Sequence, residues 1–212
     1  MLTHLRPALV LFVLLSLITG VAYPLVVTGI AQVAFADRAN GSIVAGADGK
    51  PIGSALIGQE FGTSDAAAAP ALAKWFWGRP SATGPVPYTA LNLSTGSGSS
   101  GSNLSPTNPA LLENIKARLA ALGAADASVG LSRSSSLVPV DLVTSSASGL
   151  DPHISVASVE YQVPRVAKAR GMTEDAVRDI VRRHTRPRDL GVLGEPVVNV
   201  LGLNQALGNA QR

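Results

Sequence analysis

Residues 8–27 read ALVLFVLLSLITGVAYPLVV, and no charged residue lies anywhere between Arg6 and Asp37. A bilayer core of about 30 Å is crossed by roughly 20 helical residues, since each adds about 1.5 Å along the axis. Backbone polar groups in lipid must be satisfied within the segment, so the stretch predicts a helix. We place a transmembrane helix over residues 8–34, preceded by a short tail of residues 1–7. Pro24 removes one helical hydrogen bond and predicts a kink near one interface. Tyr23 suits that depth, because its ring is apolar and its hydroxyl seeks water. Ala34-Phe35-Ala36 resembles a small-residue cleavage site. Signal h-regions, however, run about 7–15 residues, and this apolar stretch is about twice as long, so the reading is a retained anchor. Arg6 and the α-amine on one side nearly balance Arg38 and Lys50 on the other. Charge therefore leaves the orientation open.

Working outward, residues 35–212 suffice for one soluble domain, which we read as mixed α/β (α+β). Of the 212 residues only 15% are charged, against about a quarter in an ordinary soluble domain. The absence of cysteine excludes a disulfide scaffold, a thiolate metal site and a Cys nucleophile. Three histidines make a His-based metal site a poor fit. A net charge of +3 with 4% aromatic residues does not suit nucleic-acid binding.

Several elements are legible. Gly53–Gln59 reads as a short strand, and residues 94–103 as a flexible Gly/Ser-rich segment. Asn108 and Pro109 open a helix with a Leu111, Leu112, Ile115, Leu119 and Leu122 stripe, ended by Gly123. Leu137–Val143 reads as an edge strand because it contains Pro139. Asp151-Pro152 reads as cap and first residue of a helix through Gln162, with a kink at Pro164 and a stop at Gly171. Thr173 caps a further helix, acidic in its first turn and basic in its last. Val197–Leu201 reads as a strand and Asn204 as the cap of a closing helix.

Candidate chemistry is sparse. Ser148, or Ser146, with Asp151 and His153 invites a hydrolase reading. Triad members must converge in space, though, and neighbours in sequence are better explained as a capping turn. The Gly/Ser run before Asn103 lacks the Gly-Lys-Ser/Thr ending of a phosphate-binding loop. Residues 165–188 hold eight Lys/Arg against three acids, which reads as a solvated face or a dock for an acidic partner.

The order and wording of these segments resemble the C subunit of the bacterial Kdp potassium-transporting ATPase. The resemblance is carried by residues 19–29 (TGVAYPLVVTG) and by Gly78, Arg79, Pro80 and Ser81. It is carried further by residues 101–109 (GSNLSPTNP), with Ser102, Asn103, Pro106, Thr107, Asn108 and Pro109. Residues 139–155 (PVDLVTSSASGLDPHIS) add Asp141, Ser145, Ser146, Gly149, Asp151, Pro152 and His153, and residues 161–167 read YQVPRVA. The Ala-rich stretch before Trp75 and the Gly-Pro-Val-Pro stretch at 84–87 depart from the family pattern and affect local loop geometry.

That resemblance implies a non-catalytic accessory subunit, a catalytic chaperone, of an ATP-driven potassium uptake complex in the bacterial inner membrane. Its partners would be a channel-like A subunit, a P-type ATPase B subunit and a small F subunit, with no nucleic acid. It implies no tightly bound cofactor, but an ATP contact in the complex, for which Gln162 is the position to test. It also implies an extracytoplasmic soluble domain, from which cytoplasmic ATP could be influenced only by coupling through the membrane subunits. The alternative from the residues alone is a membrane-anchored envelope hydrolase using a Ser/His pair.

Overall fold

The computed structural model describes residues 2–210. The chain divides into two compact units, Met1–Val44 and Ala45–Arg212. The first unit is helical: Leu2–Leu17 (α1), a π-helical turn over Ile18–Ala22, and Tyr23–Ala34 (α2), followed by the short Ala36–Ala39 (α3). Helix therefore begins within the expected tail. His4–Ala34 is one stretch of 31 residues, long and apolar enough to cross a membrane. The expected consequence of Pro24 takes a definite form. Tyr23 donates its N–H to Ile18 O, five residues back, so the turn before the proline widens. A π-turn of this kind relieves the clash between a proline ring and the carbonyl four residues earlier.

The second unit opens with Ile43–Ala45 (β1), which straddles the boundary, and Pro51–Ser54 (β2). The expected strand at 53–59 is thus shifted towards the N-terminus and turns out at Ala55. Leu91–Asn92 (β3) and Ser97–Gly98 (β4) pair as an antiparallel hairpin whose turn and second strand fall in the segment 94–103 expected to be flexible. That segment is held down: Ser100 N–H and the Ser99 hydroxyl both donate to Ser148 O, at 2.9 and 3.0 Å.

Pro109–Ala127 (α4) starts where expected, with the Asn108 side chain accepting from Ala110 N. It runs past Gly123, and its buried face is Arg118, Ala121, Leu122, Ala125 and Asp126, with Leu112 exposed. The edge strand expected over 137–143 is absent. Ser135–Leu137 and Val140–Leu142 are single 3₁₀ turns instead, because Pro139 has no N–H to give a ladder.

His153–Ser155 (β5) precedes Val156–Arg170 (α5), so the Asp151-Pro152 pair does not open the helix; Ser155 caps it, accepting from Ser158 N. The helix continues through Pro164 and ends at Gly171, which takes the left-handed conformation at φ +63°. Glu174–His184 (α6) is capped by Thr173 as expected. Thr185–Arg186 (β6) and Val197–Asn199 (β7) follow, and Val200–Asn209 (α7) is capped by Asn199, not Asn204. Sheet order is β5-β7-β6, all antiparallel, with His153 opposite Asn199 and Thr185 opposite Val198.

Two apolar clusters fill the second unit. One joins α5, α6, α7 and the sheet through Phe76, Ile154, Val159, Val163, Val177, Ile180, Val198, Leu203 and Leu207. The other joins α4 to the 69–77 segment and the 140–142 turn through Ala69, Trp77, Ala121, Leu122 and Leu142. This is the expected α+β class, with more residues in helices than in the very short strands.

Candidate functional site

Phe76 and Trp77 are adjacent in sequence and go to different clusters, so the chain between them passes through the middle of the domain. Among the described residues no strand pairs with it. Side-chain amides do the pairing: Asn204 accepts from Phe76 N and donates to Phe76 O, each at 2.9 Å. Gln162 accepts from Trp77 N at 2.8 Å and donates to Trp77 O at 3.1 Å. Two carboxamides thus replace the neighbouring strand that buried backbone would otherwise need.

Two guanidinium groups lie over the Trp77 ring, Arg118 at 4.8 Å and Arg165 at 4.9 Å from its centroid. Arg118 donates to Leu142 O, Thr63 O and Gly78 O at 3.1, 2.7 and 2.9 Å. Arg165 donates to Ala73 O at 2.8 Å and to Gln162 Oε1 at 2.6 Å, and its Nε lies 3.5 Å from Asp126 Oδ1. Burial pushes both guanidinium pKa values down to about 10, so both remain charged at neutral pH. Asp126, itself buried, also accepts from Arg133 and from the Tyr161 hydroxyl. Buried charge is tolerable where it is paired or hydrogen-bonded: Arg165 and Asp126 form an ion pair, whereas Arg118 has no ion pair among the described residues and is held by three carbonyls. Gln162, fully buried, donates its second amide hydrogen to Ser158 O. Both donors and both lone pairs of its carboxamide are therefore engaged inside the domain.

From Trp77 the chain emerges as Gly78-Arg79-Pro80-Ser81, and here the distant motif segments meet. Arg79 donates to Thr144 O and Ser145 O at 3.3 and 3.0 Å, with Asp151 Oδ2 3.7 Å from its Nη1. Ser81 donates to Gly149 O at 2.7 Å and accepts from Tyr88 N at 2.9 Å. The Tyr88 hydroxyl donates to Arg79 O at 2.5 Å. Burial pushes its pKa up to about 12, which keeps it a donor. Gly149 is left-handed at φ +66°, and a Cβ there would stand 2.5 Å from Ser100 O. Gly58 gives its N–H to Leu150 O, and a Cβ on it would meet the Tyr88 ring at 2.3 Å. These contacts border a small cleft of about 60 Å³ lined by Glu60, Gly62, Arg79, Ser81, Tyr88 and Arg118, among others.

The remaining motif positions act locally. Asp141 accepts from Ser155 N at 2.8 Å and from the Ser158 hydroxyl, which places a carboxylate at the N-terminus of α5. Pro152 is buried and its carbonyl accepts from Val200 N. Ser102, Asn103, Pro106 and Thr107 lie on exposed chain before α4, with Asn103 left-handed at φ +51°; Pro109 follows the Asn108 cap as the first helical residue.

His153 Nδ1 is 3.6 Å from Asp151 Oδ1, and Asp151 also accepts from His153 N. Burial alone would raise the Asp151 pKa, but the His153 hydrogen bonds and the Arg79 charge outweigh it and hold the carboxyl below its ordinary range. Ser148 accepts from Leu150 N and lies 3.5 Å from the Ser146 hydroxyl. Among the described residues no hydrogen bond joins His153 to either serine, so the Ser/His pair is not assembled. Nor is any group of three or more His, Asp or Glu side chains placed there to hold a metal. The basic run is not one solvated face: Arg165 is buried, while Arg178 pairs with Glu160 and Glu174.

The sequence does not mark Arg118, Tyr88 or Asp126, and it marks Asn204 only as a helix cap. Arg118 and Asp126 had one visible signal, namely charges at helical spacing among the apolar residues of α4.

A family profile described as KdpC, the K+-transporting ATPase c chain, matches residues 5–209. The chain belongs to the KdpC family. A potassium-transporting ATPase KdpC subunit from Sorangium cellulosum is 56% identical over 211 residues, covering 100% of both chains. The KdpC subunit of Burkholderia orbicola is 54% identical, covering 99% of this chain and 97% of its own. That of Ralstonia nicotianae is also 54% identical, covering 97% and 90%. The KdpC resemblance read from the motif segments is therefore borne out over the whole chain. As a KdpC subunit it belongs to a potassium-transporting ATPase, and with its long apolar helix it is a membrane-associated chain.

Proposed function

We propose that this KdpC-family chain acts by assembling and stabilising the potassium-transporting ATPase rather than by binding nucleotide itself. The observation that carries this reading is the state of Gln162: it is fully buried, and its carboxamide is used up by Trp77, Arg165 and Ser158. A nucleotide contact there would first have to dismantle the centre of the domain. The motif residues Arg79 and Ser81, and Arg118 outside the motifs, tie loops to one another through backbone carbonyls, which supports a rigid docking module without chemistry of its own.

On this reading the chain joins the channel-like A, ATPase B and small F subunits, with its soluble domain outside the membrane. Promotion of ATP binding by the B subunit is then remote. It requires two states of the complex that differ in their contacts with this domain. Small residues Gly20 and Gly29 in the membrane helix leave open space where a neighbouring helix could approach closely.

The test is deletion of the chain in cells expressing the other subunits. Loss of co-purification and of potassium-dependent ATP hydrolysis is expected; a complex that assembles and pumps normally would overturn the proposal. Photolabelling of this chain by an ATP analogue, abolished by Gln162→Ala in a variant that still folds, would instead establish direct nucleotide contact.

A further inference from the structure

The loop between β6 and β7 holds three bulky apolar side chains in solvent within four residues. Leu190 is 90% exposed, Val192 73% and Leu193 59%. The loop is closed on itself: Asp189 N donates to Leu193 O and Leu193 N to Asp189 O, both at 2.9 Å. Gly191 and Gly194 take φ +78° and +75°, and Leu190 itself is left-handed at φ +53°. A leucine gains nothing from that conformation in isolation, so the turn presents its apolar side chains outward at a local cost.

Arginines flank this tip. Arg182, Arg183, Arg186 and Arg188 stand against Asp189 and Glu195 between residues 182 and 195. Arg186 pairs with Asp189 at 2.8 Å and Arg188 with Glu195 at 2.7 Å, both pairs well exposed, while Arg182 pairs with Asp179. Arg183 has no ion pair among the described residues. Exposed pairs of this kind are weak and exchange readily for another anion.

We propose that this tip is an interfacial wedge for an anionic bilayer. Leu190, Val192 and Leu193 enter the boundary between headgroups and acyl chains, and Arg183, Arg186 and Arg188 meet lipid phosphates. Apolar side chains flanked by cations are the composition that an anionic lipid interface selects. Leucine and valine are poor protein–protein anchors by comparison with Trp and Tyr. The chain's own membrane helix also tethers the domain to a bilayer, so lipid is always present at high effective concentration. The proposal does not rest on the role of the motif segments.

Because the chain has no cysteine, Val192→Cys carries a single environment-sensitive NBD fluorophore. The full-length chain is reconstituted alone into phosphatidylcholine vesicles, or into equimolar phosphatidylcholine and phosphatidylglycerol. In the anionic vesicles we expect blue-shifted emission and quenching by spin-labelled lipid. Quenching should fall several-fold in pure phosphatidylcholine, and likewise when Arg183, Arg186 and Arg188 are all changed to Gln. Leu190→Ser should weaken it as well; all four positions are exposed, so the fold is not at stake. Emission typical of water in both lipids would overturn the proposal, as would equal quenching in both. A blue shift that appears only when the other ATPase subunits are co-reconstituted would assign the tip to a protein partner instead.

Discussion

Gln162 and Asn204 show what one side chain can decide. Each supplies the donor and acceptor that a buried peptide segment lacks, on either side of the bond between Phe76 and Trp77. Removing the carboxamide strands the Trp77 N–H, the Trp77 carbonyl and part of the Arg165 guanidinium, and an unsatisfied buried group costs about 1–3 kcal/mol. Gln162→Ala is therefore expected to destabilise the domain by at least about 3 kcal/mol, read by thermal or urea unfolding. Asn108→Ala, which removes a half-buried helix cap, should cost about 1 kcal/mol. Gly149→Ala meets both a left-handed backbone and Ser100 O at 2.5 Å, so it should lower the melting temperature strongly. Asp151 adds a pH dependence. Its folded pKa lies below the ordinary value of 3.8, so its contribution is present above that value and fades as pH falls below it. Asp151→Asn should flatten the loss of stability below about pH 4 and leave its slope near neutrality unchanged.

Helix α5 carries the clearest lesson about elements. Pro164 predicted a kink, since it lacks an N–H and its ring opposes the carbonyl of Glu160. The helix runs through it because Val159, Val163, Val166 and Ala167 are all buried on one face, and their packing exceeds the loss of one bond at the surface. Pro164→Ala should accordingly stabilise the domain by about 1–3 kcal/mol in urea titration. Elements with local determinants were legible: the Asn108 cap, the Thr173 cap, the Gly171 stop and the amphipathic pattern of α6 all depend on neighbours within a turn. Elements with non-local determinants were not. Whether Val197–Asn199 continues as strand to Leu201 depends on its pairing with residues 153–155, forty positions away, and on Asn199 capping α7. The candidate site was legible only as a set of segments. The sequence marks residues 78–81 and 144–153 as distinctive, but not that Arg79 spans the two.

At the scale of the whole molecule, the chain is a membrane-length helix joined to a domain whose apolar core is split in two by the Phe76–Trp77 crossing. The orientation proposed for that domain has a direct check. Ser132 is exposed and no native thiol competes. Ser132→Cys in intact cells should react with a membrane-impermeant maleimide, and protection until lysis would place the domain inside. The sequence alone determined the long apolar helix, because thirty uncharged positions admit few other structures. It likewise determined the family, because wording in order along the chain survives without coordinates. It also determined the capped helices, whose signals are short-ranged. The tertiary structure decided which polar residues are structural. Gln162, Asn204, Arg118 and Asp126 resemble surface residues in a sequence, and only the convergence of segments some 85 and 128 positions apart shows them holding buried backbone and buried charge in place.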